Sequence, residues 1–548
     1  MSMFEGCIEL EEEPFTFSTK TQELLDLGKA GVDVQPFRDR IMRRLRELRR
    51  EVEAMEGLFN STSPTSRLPP EVLSKVFIAV RDAGRGNLLW TRVSHVCKRW
   101  RDTAIADPIL WSDIGAIHPR FTPIMLARSK SAPLVVKLKV DEDLRITNKL
   151  LGEILERSER LRSLDIFARE SEIDFQSVLS KCPGRAPILE RLILHAGGWG
   201  GGLPASFLQG GAPSLRYLKV VGCTLPWKAM EKWMTGLTVL NLHNEGHAFN
   251  NRVPSTANLQ QVLRHLPNLK VLELLHFLPR SPWPEVIPSG PPVVSLPRLL
   301  SLKLYDSTAA IRDFFYTAAV PPNAVIDITL TDIGLLVAFT SQLLVSLKSS
   351  WCAYDAHNRG PFATPYGVQE LRIIGLGYGG KSRPRFECRF DYVSQKHYRP
   401  PNLIVSWTSK EKNPPIAQLL NLINEHLDLS PLRLLRVQQS PLLPAGVWKM
   451  VFSELKALNT VFLFHNNISQ FLTSLENPEL VFPALTSIVY SEGYLDRDGN
   501  LISSVSRSVV TSGEKRLVKA LKDRPRITVS RTNKPFDISS HPYWAPES

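Results

Sequence analysis

The sequence predicts an α/β chain. An N-terminal amphipathic helix and a small all-α domain precede a long solenoid, in which a curved sheet is backed by helices. Three observations predict it. Apolar residues recur at helical spacing between Pro36 and Asn60. Short apolar stripes crowd together between Arg67 and Ile114. Beyond residue 120 a six-residue pattern, L-x-x-L-x-L, returns again and again.

The totals agree with that division. The 548 residues suffice for several domains or one repeat array, and 43% hydrophobic with 22% charged residues is a globular composition. A net charge of +13 admits nucleic acid or an acidic membrane surface as partner. The charge is scattered, however. Its densest basic run, "RDRIMRRLRELRR" (38–50), is followed at once by Glu51, Glu53 and Glu56, the mark of a solvated helix face. Six cysteines without a C-x-x-C pair suggest reduced thiols and a cytosolic or nuclear setting. The start, "MSMFEGCIELEEEPF", lacks the apolar core of a signal peptide. The longest apolar stretch, "IGLLVAFTSQLLVSL" (333–347), is shorter than the ~20 residues of a membrane span and reads as a buried helix.

Residues 1–35 read as a loosely ordered segment. From 36 to 60 a helix is expected, with Ile41, Leu45, Leu48, Val52, Met55 and Phe59 alternating four and three apart. Two readings of that seam stand: a helix packed on its own protein, or a coiled-coil contact making a dimer through residues 36–59. "NSTSPTS" (60–66) breaks the pattern, and 61–66 reads as a linker.

Residues 67–114 hold two or three short helices. "LPPEVLSKVFIAV" begins with Pro69 and Pro70, suited to a first helical turn, and Glu71 favours the positive end of the helix dipole. Val72, Leu73, Val76, Phe77 and Val80 form a stripe. A second helix is expected to carry Leu89, Val93, Val96, Trp100 and Ala104, with Cys97 beside them; Pro108 interrupts before Leu110 and Trp111. So small a unit has more apolar faces than it can hide, and an apolar patch left in water marks a partner site.

These residues resemble the F-box: Leu68-Pro69-Pro70-Glu71-Val72-Leu73, then Val76-Phe77, then Val93-Ser94-x-Val96-Cys97-Lys98-Arg99-Trp100-Arg101, then Pro108-x-Leu110-Trp111. Three separated blocks in order make the match specific, although it covers only about a tenth of the chain. The connection "RDAGRGNLLW" (81–90), rich in Gly and Arg, departs from the family. The resemblance implies docking on a Skp-type adaptor, and through it on a cullin–RING ubiquitin ligase. The implied contact residues are Leu68, Pro69, Pro70, Val72, Leu73, Val76, Phe77, Val93, Val96, Cys97, Trp100, Leu110 and Trp111.

The repeat occupies 120–531, and 532–548 read as a tail. Copies begin at 161, 189, 215, 237, 269 and 299, then at 368, 432, 458 and 485, with weaker ones at 135 and 325. Starts through 325 lie 22 to 32 residues apart, as do the last three. One such motif per period marks a leucine-rich-repeat solenoid, whose units bury their apolar faces only by stacking. "TNKLLGEILERSER" (147–160) has the length of a backing helix. The Asn or Cys that closes such a motif is matched only by Cys223 and Asn466, and the gaps 331–367 and 374–431 disturb the period.

Residues between the inward leucines should line the concave face. One ladder reads Asp165, Ile193, Lys219, Asn241, Glu273, Lys303; the next reads Phe167, His195, Val221, His243, Leu275, Tyr305, with Arg372, Arg436, Phe462 and Phe464 continuing them. Phe167, His195, Lys219, His243, Glu273, Lys303 and Tyr305 are the candidate target contacts. Mixed charge with aromatics suits protein recognition and is unlike the single-sign stripe of a nucleic-acid site.

Four motifs point toward enzymes or metals. "GLGYGGKS" (375–382) satisfies G-x-x-x-x-G-K-S, which would make Lys381 and Ser382 phosphate and magnesium contacts. Phe386, Cys388, Phe390 and Tyr392 follow at strand period, so a glycine-rich hairpin or repeat connection is expected instead of the required helix. "HNEGH" (243–247) lacks the glutamate of a zinc helix, "GGWGGG" (197–202) reads as a loop, and "DRDGN" (496–500) reads as a turn. No catalytic residue, metal or cofactor is assigned. The expectation is a non-enzymatic substrate receptor; the alternatives are an adaptor-binding or dimeric scaffold outside a ligase, and a nucleotide-binding enzyme.

Overall fold

The computed structural model describes residues 16–29, 33–84, 87–115, 118, 120–139, 144–168, 175–182, 184–196, 202–230, 234–244, 253–279, 294–331, 336–358, 367–378, 381–390, 401–407, 416–438, 443, 445–464, 466–475, 482–491, 494–495, 501–502, 519, 521 and 526–531. The chain divides into two compact units, Met1–Gly115 with Ile124–Ala132, and Ala116–Pro123 with Pro133–Ser548. Among the described residues no helix is long and apolar enough to cross a membrane.

The first unit opens with α1 (Thr19–Lys29) and α2 (Val34–Thr62). Helix α1 lies where the sequence was expected to be loosely ordered. Its own residues are mostly polar and give little helical signal; a side chain from α2 anchors its start. The Arg44 guanidinium donates to Ser18 Oγ at 2.7 Å and to Thr21 Oγ1 at 3.1 Å, and is buried with Glu47 at 3.0 Å. Helix α2 starts two residues before the expected Pro36 and runs into the expected linker. It stops where the Ser61 and Thr62 hydroxyls donate to the Leu58 and Phe59 carbonyls and Pro64 bars continuation.

After a 3-10 turn at Pro64–Arg67 comes α3 (Pro70–Ala83), with Pro70 in its first turn as expected. The second expected helix is in fact two pieces: a 3-10 stretch Leu88–His95, then α4 (Lys98–Ala106), with Cys97 fully extended between them. The Thr91 and Ser94 hydroxyls donate to the Leu88 and Thr91 carbonyls three residues back, which competes with α-helical bonding. A three-residue period puts Trp90 and Val93 inward together and leaves Leu89 exposed. The sequence pattern, read at 3.6, therefore chose Leu89 and missed Trp90.

In the second unit the strands are β1 (Leu134–Lys139), β2 (Leu161–Ala168), β3 (Arg191–Ala196), β4 (Tyr217–Val221), β5 (Val239–His243), β6 (Val271–Leu275), β7 (Ser301–Asp306), β8 (Val325–Leu330), β9 (Glu370–Tyr378), β10 (Lys381–Arg389), β11 (Leu403–Trp407), β12 (Leu434–Gln438), β13 (Thr460–Phe464), β14 (Ser487–Ser491) and β15 (Thr528–Arg531). They join one open sheet in the order β1-β2-β3-β4-β5-β6-β7-β8-β11-β10-β9-β12-β13-β14-β15. Every copy of the L-x-x-L-x-L pattern falls on one of these strands. Leu192, Leu218, Leu240, Leu272 and Leu302, and beyond them Leu194, Leu242, Leu274 and Leu304, are fully buried on one face. A second chain of bonds stacks the repeats just before each strand: Glu190 N–H donates to Arg162 O, Arg216 to Glu190, Thr238 to Arg216, Lys270 to Thr238 and Leu300 to Lys270, each at 2.8 or 2.9 Å.

Helices are interspersed between strands, among them Leu144–Leu155, Thr256–Arg264, Thr308–Thr317, Leu336–Asn358 and Ile416–His426. Leu144–Leu155 begins before the expected 147–160, and a short 3-10 turn takes Ser158–Arg160. The apolar stretch at 333–347 belongs to Leu336–Asn358, where Leu343, Leu344, Leu347 and Trp351 are buried.

The two long gaps in the period have a structural cause. Leaving β8, the chain forms Leu336–Asn358 and enters the sheet three places away, at β9. It returns antiparallel along β10 and then fills the place beside β8 with β11. Strand β10 is antiparallel to both neighbours, whereas the other pairings among these fifteen strands run parallel in the described residues. The insertion adds strands yet keeps the alternation of faces.

Candidate functional site

The first unit surrounds an aromatic core. Phe77 of α3 meets Trp100 of α4 with ring centroids 5.1 Å apart, and Trp90 meets Trp111 edge-on at 5.1 Å. The Trp111 indole N–H donates to the Ala104 carbonyl at 2.6 Å, and the Arg128 guanidinium lies 4.3 Å over its ring. Arg81 ties the end of α3 to the following turn by donating to Ile109 O at 2.7 Å and to Leu110 O at 3.2 Å. Arg99 of α4 donates to the Ser66 and Leu68 carbonyls, fixing the entry to α3.

An F-box-like family model matches residues 65–115, the span of α3, the 3-10 stretch, α4 and the closing Trp111. Residues 65–115 are an F-box-like domain. No curated protein matches the chain. Among solved structures, the chain is similar to one described as the crystal structure of the Rad7 and Elc1 complex in yeast, at 11% identity and a TM-score of 0.24, over 84% of this chain and 98% of that one. A likeness that slight carries no argument about function.

The F-box-like domain divides the thirteen expected adaptor contacts into three groups. Pro69, Pro70, Val72, Val76 and Val96 are exposed. Leu68, Cys97 and Trp100 are half-buried. Leu73, Phe77, Val93, Leu110 and Trp111 are buried. This last group is a correction: those side chains build the F-box-like domain and present no surface. A stripe read from spacing alone cannot tell the inward edge of a helix from its outward edge. Leu89 and Val80, which the sequence placed on the apolar stripes, are exposed as well, and so are Ile105 and Ile109, which it did not single out. On α3 the sequence Val72, Val76, Val80 repeats every four residues, so these three line one outward strip.

The second surface is the sheet face opposite the buried leucines. The ladders expected from sequence are realised in register: Asp165 pairs with Ile193, Ile193 with Lys219, then Asn241, Glu273, Lys303 and Asp327. The same row continues across the insertion through Ile404, Glu387, Arg372, Arg436 and Phe462. The adjacent row runs Phe167, His195, Val221, His243, Leu275, Tyr305. Phe167, His195, Lys219, Glu273, Lys303 and Tyr305 are half-buried; His243 is buried.

These residues meet one another. Phe167 and His195 rings lie 6.2 Å apart, and Tyr305 meets His276, outside the expected set, at 4.6 Å. Lys303 Nζ is 2.8 Å from Glu273, and His243 Nε2 is 3.6 Å from it. Burial alone would raise the Glu273 carboxyl; the neighbouring His243 ring and the Lys303 ammonium outweigh it and hold the carboxyl at about 2. Asp165 goes the other way: burial raises it despite Arg191 at 3.4 Å. Arg191 in turn lies 4.2 Å over the Tyr217 ring.

Across the insertion the same face carries a charge network. Glu370 accepts from Arg389 and Arg436 at 2.9 Å each; Glu387 accepts from Arg372 at 3.2 Å and from Arg385 at 2.8 Å. Burial pushes Arg436 down to about 10, with Glu370 opposing, and its guanidinium sits 4.5 Å over Phe462.

The glycine-rich motif is a hairpin. Gly375 to Tyr378 and Lys381 to Pro384 pair antiparallel, with Tyr378 opposite Lys381. Lys381 and Ser382 thus start a strand, where a phosphate loop needs a helix N-terminus. His243 of "HNEGH" lies on β5; the rest of that motif beyond Asn244, most of "GGWGGG" and all of "DRDGN" lie outside the described residues. Tyr494–Leu495 and Leu501–Ile502, which flank "DRDGN", pair antiparallel. Among the described residues no group of three His, Cys, Asp or Glu could hold a metal.

Proposed function

We propose that the chain is a substrate receptor of a Skp–cullin–F-box type ubiquitin ligase. The F-box-like domain docks on a Skp-type adaptor and through it on a cullin. The repeat sheet, curved as in a leucine-rich-repeat solenoid, holds a protein target on its Asp165 and Phe167 ladder rows. In this reading the chain makes and breaks no bonds. It acts by raising the effective concentration of the target near the charged ubiquitin carrier.

The observation that carries the reading is the outward strip of Val72, Val76 and Val80 on a domain that already has a complete aromatic core. Such a unit has no use of its own for three exposed valines in a row, together with Leu89, Val96 and Ile109. Burying each against a partner is worth about 1.5–3 kcal/mol, enough for the strip to anchor a complex. The ladder rows, with charges and aromatics side by side, fit a protein target better than a phosphate backbone.

The test is co-expression with a Skp-type adaptor. The wild-type chain should co-purify with it, and Val72→Glu with Val76→Glu should abolish recovery while the melting profile is kept. Undiminished adaptor recovery with the double variant would refute the docking surface.

A further inference from the structure

Helix α2 turns one side toward α1 and the opposite side outward. Arg44 is buried where it bonds to the start of α1, and Phe37, Ile41 and Leu48, on the same side, are half-buried. The outward side is a face of arginines. Arg38, Arg40, Arg43, Arg46, Arg49 and Arg50 are all exposed, and among the described residues none of them makes an ion pair or a hydrogen bond. The compensation expected from the following glutamates is not realised. Of Glu51, Glu53 and Glu56 only Glu51 reaches an arginine, the buried Arg44 at 3.4 Å, and Glu47 is held by that same side chain at 3.0 Å. Asp39, Glu47 and Glu53 stand three or four residues from Arg43, Arg49 or Arg50, but Arg38, Arg40 and Arg46 have no acid at that spacing. From Arg38 to Arg50 seven arginines face Asp39 and Glu47, a net +5, and the run through Glu53 still holds seven against four, a net +3.

Helical geometry fixes where these side chains point. With the side against α1 as the back, Arg46 and Arg50 point forward beside Asp39, Arg38 and Arg49 lie on one flank, and Arg43 and Arg40 lie on the other. The exposed arginines span about 200° of the circumference and about 18 Å of the axis. A flat acidic surface meets one side of a helix, so a spread this wide fits an anion with walls on both sides. The major groove of B-form DNA, about 12 Å wide, admits an α-helix between two rows of phosphates, whereas the major groove of duplex RNA is too narrow. A membrane takes an amphipathic helix by its apolar side. On α2 that side meets α1, and beyond α1 the exposed Val52, Met55 and Phe59 are flanked by Glu51 and Glu56, which an anionic bilayer repels. Every cation in the run is an arginine, the side chain whose planar fork matches phosphate.

We propose that α2 binds duplex DNA by laying its Arg38–Arg50 face in the major groove. The flank arginines hold phosphates of the two strands, and Arg46 and Arg50 point toward the base edges. Helix α1, on the opposite side, stays outside the groove, and the acidic end of α2 from Glu51 onward leads away from it. The face lies on a different helix from the Val72–Val76–Val80 strip, so this binding and adaptor docking stand or fall separately.

Fluorescence anisotropy of a labelled DNA duplex titrated with the full chain, at low and physiological salt, tests this. The wild type should bind saturably, with an affinity that falls steeply as salt rises. Replacing Arg38, Arg43, Arg46 and Arg49 together by Gln should weaken binding about tenfold or more and flatten the slope of log Kd against log salt by about 3. The circular dichroism spectrum should be unchanged, since these side chains are exposed and Gln is nearly as good a helix former as Arg. Replacing Lys149, Lys181, Lys228 and Lys270 by Gln removes the same charge from exposed sites of the second unit and should change affinity less than about twofold. Absence of saturable binding at low salt, or equal losses in the two variants, overturns the proposal. Phosphatidylserine vesicles or an RNA duplex bound more tightly than DNA, with that binding lost in the arginine variant, would assign the face to those partners and overturn it as well. The adaptor recovery described above is unaffected by any of these results.

Discussion

Phe77 and Trp100 meet with ring centroids 5.1 Å apart and planes inclined by 52°, which joins α3 to α4. Phe77 has no exposed surface, whereas Val76, the preceding residue, is 43% exposed. Adjacent residues on one helix therefore do opposite things: one closes the domain and the other is open to a partner. Phe77→Ala should cost about 3–5 kcal/mol and melt the F-box-like domain. Val76→Ala should stay within about 0.5 kcal/mol. Urea titration followed by tryptophan fluorescence reads both; equal losses would mean that the inward and outward edges of α3 are misassigned.

Glu370 holds two guanidiniums on the strands either side of β9, Arg389 on β10 and Arg436 on β12. All three are nearly buried, so removing the carboxylate leaves cations in a poor solvent. Glu370→Gln should destabilise the second unit by about 3–5 kcal/mol. Thermal unfolding checks it, and a change below about 1 kcal/mol would show that the network contributes little.

Glu273 makes stability depend on pH. Its carboxyl titrates at about 2 in the folded chain, against 4.5 as its ordinary value. A depressed carboxyl stabilises the fold fully above pH 4.5, and the contribution is lost as pH falls toward 2. The shift corresponds to about 3 kcal/mol. Glu273→Gln should therefore be less stable than wild type at pH 7, with the gap closing as the pH is lowered through 4 to 3. Urea midpoints across that range decide it. A gap that does not change with pH would assign the loss to shape and not to charge.

The hairpin at β9–β10 predicts a negative result with a sharp control. Equilibrium dialysis with ATP and magnesium should show no saturable binding, and Lys381→Ala should change nothing. Saturable binding that Lys381→Ala removes would revive the nucleotide-enzyme reading.

Much of this architecture is legible in the sequence, for a physical reason. In a strand the side-chain period is two, so fixing the inward leucines at once fixes which residues share the other face. Asp165, Ile193, Lys219, Asn241, Glu273 and Lys303 fall in one row for that reason. The path through 331–431 was not legible, because periodicity reports which residues face inward and not the direction or order of strands. The glycine-rich turn at 375–382 suggests an antiparallel return along β10, but nothing in "RPRFECRFDYV" or after it places β11 beside β8. In the F-box-like domain the signal failed differently. Trp90 was lost because the local helix is 3-10, and Leu73, Phe77, Val93, Leu110 and Trp111 were assigned to a surface because a family motif records both packing and contact residues. Helix α1 was missed because its partner, Arg44, is a polar side chain from another helix.

Docking on an adaptor requires the outward edge of α3 to be a partner site. Hydrogen–deuterium exchange of the full chain, with and without a Skp-type adaptor, tests it most directly. Added protection at residues 68–83 and 88–97, with the repeat sheet unchanged, is the predicted result. An adaptor that binds and leaves those residues exchanging as in the free chain, or that does not bind at all, contradicts it.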